Sequence, residues 1–303
     1  MDERISLSIF NIQDRFGDIG AIEFAHDIGL RYVDFDLCRY DAHKENSLYA
    51  SDDLSAVAKH FREVRARADA LGVKIAQTHG RIKAYNPDDR WNEGELKGFI
   101  RDALATEILG APYCVVHGVH LGLDTSAEEH IRTNLRMFSD FLPHAAEHGI
   151  CIASETLGDT HAPDGRNGLD YFAGEKEFLR MHYRICAENP RYKDYLCCCM
   201  DTGHTHKATR FGVAQPQDYI RMIGPMLRCL HLNDNDTWTD QHKFPLSGAI
   251  NWDEVMTALE DIGYDGVYNM EISLGRYGKS ESILRAHAIF AMEVMNEILE
   301  SRE

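Results

Sequence analysis

The sequence predicts an α/β chain folded as one closed (β/α)8 barrel, and three observations carry that prediction. Short apolar runs alternate eight times with amphipathic helical stretches, the pattern of a parallel sheet covered by helices. Eight such units fill 303 residues without a linker or a low-complexity segment, which favours a closed barrel over an open doubly wound sheet. No Gly-rich phosphate loop follows the first strand, so a nucleotide cofactor has no support. A single domain over residues 1–303 is the simplest account.

The elements follow in order. Ile5–Phe10 reads as the first strand, and a helical pattern over Ile19–Ile28 closes at Gly29. Tyr32–Leu37 is the second strand. Leu54, Val57, Ala58, Phe61, Val64, Ala68 and Leu71 then mark one helical face, stopped by Gly72 as a C-terminal glycine should stop it. Val73–His79 is strand three, followed by a helix marked by Leu96, Phe99, Ile100 and Ala103 that ends near Gly110. Tyr113–His117 is strand four, and Ile131, Leu135, Phe138 and Leu142 mark the helix that Gly149 ends. Ile150–Glu155 is strand five; a Gly-rich loop runs to Ala173 before a helix over Glu175–Glu188. Tyr195–Asp201, Arg228–Asn233 and Gly266–Ile272 are strands six to eight. Helices over Pro216–Ile223, from Asn251 to Gly263 and over Ile283–Leu299 complete the set, the second capped by Asn251 with Glu254 at its third position.

Composition narrows the function. Hydrophobic residues are 44% and charged residues 27% of the chain, ordinary for a globular protein. With 32 Lys and Arg against 49 Asp and Glu the formal charge is −17, which opposes binding to nucleic acid and to anionic membranes. The eight cysteines include no CxxC pair and mostly lie in apolar runs, as buried free thiols of a reducing compartment do. The opening MDERISLSIF is acidic and lacks a signal-peptide core, and no apolar segment approaches membrane-spanning length. A soluble cytoplasmic protein with no membrane partner is expected.

The chemistry gathers at strand ends, which in a barrel meet above one mouth. The stretch Cys197–Lys207 reads CCCMDTGHTHK: a buried strand ends on Asp201, and His204 follows on the loop above it. Strand three ends at His79, strand four at His117 and strand five at Glu155. Strand seven carries His231, with Asp240 and His242 in its loop, and strand eight carries Glu271. One strand-end histidine is more often structural, but nine acids and imidazoles together would be costly to bury without a compensating cation. A metal at this mouth is expected.

The pattern Glu155 … Asp201-Thr-Gly-His204 … His231-Leu-Asn-Asp234 … Asp240-Gln-His242 … Asn-Met-Glu271 resembles the xylose isomerase-like TIM-barrel superfamily, as does the run GAINWDEVMTALEDIGYDGVYNMEI. That group holds sugar and sugar-phosphate isomerases, ketose 3-epimerases, inosose dehydratases and endonuclease IV. The resemblance implies that Glu155, Asp201, His231 and Glu271 hold one divalent ion. Three oxygens and one nitrogen suit Mn2+, with Mg2+, Co2+ or Zn2+ as alternatives. It also implies that Glu155 and Glu271 remove and return a proton next to a carbonyl through a metal-stabilised enediolate. His204 matches a histidine that meets substrate in the epimerases and a second metal in the endonuclease. His206 has no counterpart and reads as a surface or supporting histidine.

Two alternatives follow from the same resemblance. Lyases that cleave C-glycosides with a small partner subunit, or dehydrate a keto-inositol, use related sites. A tri-zinc endonuclease would use His79, His117, Glu155, Asp201, His204, His231, Asp240, His242 and Glu271, but the acidic charge disfavours holding a duplex. The sequence departs from the ketose 3-epimerases in having no arginine between His231 and Arg276. Trp238, His242, Lys243 and Phe244 instead suggest a wall against a sugar ring or an aglycone. The loop Thr156–Ala173, with Asp159, His161, Asp164, Arg166 and Asn167, could close over substrate; Arg39, Arg81 and Lys83 are the cations placed to meet an anionic one. A small-molecule sugar is the expected partner, and barrels of this type often pair as homo-oligomers.

Overall fold

The structure is a computed structural model describing residues 3–83, 85–278 and 280–302. Its strands are β1 (Ile5–Ser8), β2 (Tyr32–Asp36), β3 (Lys74–His79), β4 (Tyr113–His117), β5 (Cys151–Glu155), β6 (Asp159–His161), β7 (Asn167–Leu169), β8 (Leu196–Asp201), β9 (Leu227–His231) and β10 (Tyr268–Met270). The helices are α1 (Phe10–Asp27), α2 (Leu54–Leu71), α3 (Asp89–Leu109), α4 (Ala127–Glu147), α5 (Glu175–Glu188), α6 (Thr202–Ala208), α7 (Pro216–Ile223), α8 (Trp252–Asp261) and α9 (Glu281–Glu300). Eight parallel strands run in the order β10-β1-β2-β3-β4-β5-β8-β9. A parallel bridge between Leu232 and Met270 closes the ring, with Leu232 N–H donating to Asn269 O at 2.8 Å and Glu271 N–H donating to Leu232 O at 3.1 Å. The expected (β/α)8 barrel is therefore present, with strands β6 and β7 as a separate hairpin.

Local chemistry sets the helix limits where the sequence placed them. Asp53 caps α2 by accepting from Ser55 N–H, and Gly72 ends it at φ 70°, a left-handed conformation that costs glycine least. Asn251 caps α8 through Glu254 N–H. Apart from shifts of one or two residues at strand and helix ends, three elements differ from the sequence reading. Helix α1 begins at Phe10, with a kink at Gly17 (φ 69°, ψ 178°); its first turns bury the polar Gln13 beside Ile12, so no apolar stripe shows. The loop after β5 contains the β6–β7 hairpin, whose three-residue strands are too short to display alternation. His204 lies in the first turn of α6 rather than on an open loop, because the Asp201 side chain accepts from His204 N–H and caps that helix.

Period two along the strands then decides what faces the barrel axis. Asp201, Cys199 and Cys197 share one face of β8, as do His231 and Cys229 on β9. Val115, Ala153, Cys197, Cys199 and Cys229 pack together as the barrel's inner plug, below the strand ends that carry acids and imidazoles. All eight cysteines are free. Among the described residues no helix is long and apolar enough to cross a membrane.

Candidate metal centre

The nine strand-end acids and imidazoles converge. Glu155, Asp201, His231 and Glu271 each offer one atom to a set lying within 4.8 Å of one another. These residues occupy β5, β8, β9 and the end of β10, four consecutive positions in the ring. Among the described residues three further sets lie as close: His79, His117 and Glu155; His204, Asp240 and His242; and His79, His231 and Glu271, which shares two residues with the first. The sets open into a cavity of about 460 Å3 whose walls include His79, His117, Glu155, His204, Asp240 and Glu271.

Two observations test whether a cation fits. His231 is fully buried, with Nε2 3.1 Å from Asp34 Oδ2 and Nδ1 3.0 Å from Glu155 Oε1. A neutral imidazole donates from only one nitrogen, so with Nε2–H given to Asp34 the Nδ1 lone pair confronts a carboxylate. A cation between Nδ1 and Glu155 resolves that contact, as does a second proton: against burial, Cys199, Glu271 and Glu155 raise the imidazole well above its usual range. Glu155 Oε2, in turn, is buried without a hydrogen-bond partner, although His117 Nε2 stands 3.0 Å and His79 Nε2 3.4 Å away. Three carboxylates and one imidazole suit a divalent ion of intermediate hardness. The residues fit the group.

Electrostatics point the same way. Burial alone would raise the Glu155 carboxyl, but His231 and His117 hold it well below the usual carboxylate range. Burial also acts first on Asp201, and with Glu155 and Glu271 close by it outweighs His204 and His242, pushing the carboxyl up to about 6. At the rim, burial opposes charge on His242, yet its hydrogen bond to Asp240 and the nearby Glu271 raise the imidazole to about 9. Carboxylates thus crowd a buried floor where water cannot screen them, and a cation relieves the crowding.

The loop carrying Asp240 and His242 is built under strain. Thr237 (φ 73°), His242 (φ 43°) and Leu246 (φ 69°) are the described non-glycine residues with positive φ, and all lie here. Such conformations persist only where surrounding contacts over-determine them. The backbone pair Asp234–Lys243 closes the loop at 2.8 and 3.0 Å, and Asn235 Oδ1 accepts from Thr237 N–H. Arg210 donates to the Thr237 and Trp238 carbonyls and pairs with Asp159 of β6. Arg276 donates to Gln241 O at 2.8 Å.

The other sequence candidates sit elsewhere. Trp238 is 69% exposed, with the Arg210 guanidinium 5.4 Å from its ring centroid, and it does not line the cavity. Lys243 serves through its backbone, and Phe244 packs on Phe290 and His287. Arg166 is tied to Asp124 and Asp164 on the surface, Asp159 is tied to Lys207 and Arg210, and His161 is largely exposed. Arg39 reaches Asp14 and Asp18, Arg81 is buried against Asp102, and Lys83 pairs with Asp41. His206 is buried and meets Asn235 Oδ1 at 2.8 Å, a supporting role.

Four residues that line or brace the candidate site were not singled out in the sequence. Asp34, 1% exposed, holds His231. Asn233 donates from Nδ2 to Asp201 Oδ2 at 2.9 Å. Asp36 and Cys38 line the cavity, and Cys38 Sγ lies 3.3 Å from His79 Nδ1. The signal was present in Tyr-Val-Asp-Phe-Asp: two acids at alternate positions of an otherwise apolar strand must share one face.

Comparison with known proteins places this geometry. The chain is 30% identical over 191 residues to the uncharacterized protein y4fM of Sinorhizobium fredii, covering 60% of this chain and 54% of that one. It spans about half to two thirds of the length of the curated relatives it matches. Among solved structures, a D-tagatose 3-epimerase-like protein superposes with a TM-score of 0.71 at 19% identity, covering 98% of this chain and 97% of the other. The IolI protein, solved with a zinc atom bound, gives 0.67 at 15% identity, over 98% and 96%. At such identities these two likenesses show the fold. A family model described as xylose isomerase-like TIM barrel matches residues 22–291, and the chain belongs to that family.

Proposed function

We propose that this protein is a divalent-metal-dependent sugar isomerase or epimerase that removes and returns a proton next to a carbonyl. One observation carries the reading: Glu155 and Glu271 share a single four-residue cluster with Asp201 and His231, on strands separated by β8 and β9. Two carboxylates converging from different strands can address opposite faces of one carbon. Glu155, Asp201, His231 and Glu271 would hold the ion, which when bound polarises a carbonyl and stabilises charge developing beside it. The structural neighbours described as an epimerase-like protein and a zinc-bound barrel support this choice of chemistry.

The chain's own groups then divide the work. Burial would raise Glu271, but His231 and His242 keep its carboxyl below the usual range, so both Glu155 and Glu271 are ionised near neutral pH and able to accept a proton. His204 donates from Nδ1 to Thr156 O at 3.1 Å. Nε2 faces Asp240 Oδ2 at 3.5 Å and the cavity; against burial, Asp201 and Asp240 raise the imidazole well above its usual range, so the charged ring can donate from Nε2 to Asp240 or to a substrate oxygen. If a leaving group sits one carbon further on, the same proton removal leads to elimination, which is the lyase alternative.

A second reading has its own observation. The sets His79–His117–Glu155 and His204–Asp240–His242 would each offer nitrogen-rich ligands to an ion such as Zn2+, the three-ion arrangement that the endonuclease resemblance implies. Against it stand the charge of −17 and a cavity wall with no Lys or Arg among the described residues. Incubating the metal-loaded protein with ketoses in D2O tests the first reading: deuterium should enter the carbon next to the carbonyl. Metal analysis separates the two, with about one ion per chain for sugar chemistry and about three zinc ions for hydrolysis. Cleavage of an abasic-site duplex without exchange into any sugar would sink the isomerase reading.

A further inference from the structure

Strand β2 holds a second acid that the metal cluster does not use. Val33 and Phe35 are fully buried on the helix-facing side, so Asp34 and Asp36 face the barrel interior. Asp34 is spent on His231. Asp36 stands two residues, about 7 Å, nearer the mouth, where it lines the cavity. Its position is fixed: Oδ1 accepts from Cys38 N–H at 2.9 Å, and Gln13 grips the Asp36 backbone from both sides, at 2.9 Å on N–H and 3.2 Å on the carbonyl. Asp36 makes no ion pair with a Lys or Arg among the described residues. The nearby cations Arg39, Arg81 and Lys83 are engaged by Asp14, Asp18, Asp102 and Asp41.

The ring order locates Asp36 relative to the chemistry. Strand β2 is four positions from β8 in a ring of eight, directly across the mouth from Asp201. The four-residue cluster occupies the half made of β5, β8, β9 and β10, and Asp36 stands on the other half. A substrate whose carbonyl end lies on the cluster extends its remaining carbons toward β2. A carboxylate waiting there accepts hydrogen bonds from hydroxyl groups and repels phosphate.

We propose that Asp36 is a specificity-determining residue that accepts hydrogen bonds from hydroxyls at the end of the substrate remote from the carbonyl, so that this site takes an unphosphorylated polyhydroxy sugar. The inference rests on the sugar reading above and deepens it. Its test uses equilibrium binding to the metal-loaded protein, which does not depend on turnover. The probes are the acyclic polyol D-glucitol, D-glucitol 6-phosphate, and D-fructose with its 6-phosphate. Glucitol should bind the wild-type protein at least about 10-fold more tightly than its phosphate, and Asp36→Asn should weaken glucitol binding about 10-fold, the effect of losing a hydrogen bond to a charged acceptor. Asp36→Asn should narrow the gap between each alcohol and its phosphate.

Metal affinity and thermal unfolding of Asp36→Asn serve as controls for a collapsed site, and Asp36→Ala provides a second variant if the amide finds an alternative partner. In turnover, the loss should appear in KM for fructose, with kcat within about threefold. Equal binding of glucitol and its phosphate, no glucitol binding by the wild-type protein, or unchanged binding in both folded variants overturns the proposal. Asp36-dependent glucitol binding without deuterium exchange into any sugar leaves the hydroxyl site standing and removes the proposed reaction instead.

Discussion

Replacing Asp34 by Asn probes the link between β2 and the proposed metal cluster. Asp34 Oδ2 accepts from Ser8 Oγ at 2.7 Å, His231 Nε2 at 3.1 Å, Asn269 Nδ2 at 3.2 Å and Gln77 Nε2 at 3.3 Å. Four donors converging on one oxygen fit an anionic carboxylate, and with an ion on Nδ1 that anion would hold the remaining His231 proton on Nε2. Removing the partner of a metal-binding imidazole typically costs about 10- to 100-fold in metal affinity, or about 1.4–2.7 kcal/mol. A second effect is separable. Asp34 Oδ1 is buried with no partner, so the amide nitrogen placed there is an unsatisfied donor costing about 1–3 kcal/mol of stability. The prediction is therefore a weaker metal site and a lower unfolding midpoint even without metal. Competition with a chromophoric chelator for Mn2+ reads the first, and denaturant unfolding of the stripped protein reads the second. An affinity within twofold of wild type in a folded Asp34→Asn variant would refute the tautomer argument.

Three more predictions follow from the same geometry. Glu271→Gln removes one of the two proposed bases and should lower turnover by about 10²–10⁴-fold; intact exchange in D2O would show that the two-carboxylate scheme is wrong. His182 is 6% exposed, and burial lowers its imidazole from 6.5 to about 4. The unfolded chain then binds this proton first, so stability is complete above pH 6.5 and declines as pH falls toward 4, by up to about 3 kcal/mol. Unfolding midpoints of wild type and His182→Gln should therefore draw together between pH 7 and 4.5 if wild type is the more stable at pH 7, and a pH-independent difference excludes the effect. Gly203→Ala places a methyl 1.8 Å from Asn233 Oδ1, and Asn233 braces Asp201. Overpacking of this kind costs about 1–3 kcal/mol, and the variant should bind Mn2+ more weakly; unchanged affinity would mean that Asn233 moves without disturbing Asp201.

Much of the architecture was legible because the barrel's signals are local. Leu54–Leu71, Tyr113–His117, Glu175–Glu188 and Pro216–Ile223 have the limits read from apolar period and glycine stops, since capping and amphipathicity act within a few residues. Helix α6 escaped because a helix of seven residues has no period to display, and Gly203 in its first turn reads as a break. What holds it is tertiary: Asp201 caps it from the end of a strand whose place is set by the barrel. The β6–β7 hairpin was hidden for a related reason, its latch being Asp159 on Lys207 and Arg210, more than 45 residues away in the chain.

The candidate site divides along the same line. An acid or imidazole at the end of an apolar strand stands out against its neighbours, and barrel closure alone brings such ends together, so the nine-residue set could be assembled without coordinates. Trp238, Lys243, Phe244 and Arg166 were chosen for side-chain type within loops, and a loop's type does not say which way it faces; none of them lines the cavity. Asp34 and Asp36 lay in plain view, but an acid inside a strand can face either solvent or axis, and only closure between β9 and β10 settles which. Once the ring is closed, period two sends both inward, one to hold His231 and the other to the mouth. The half of the barrel that carries the proposed metal ligands thus depends on an acid from the other half. Changes on β2 should then alter metal affinity through Asp34 and substrate preference through Asp36, two effects that a site confined to β5, β8, β9 and β10 would not show.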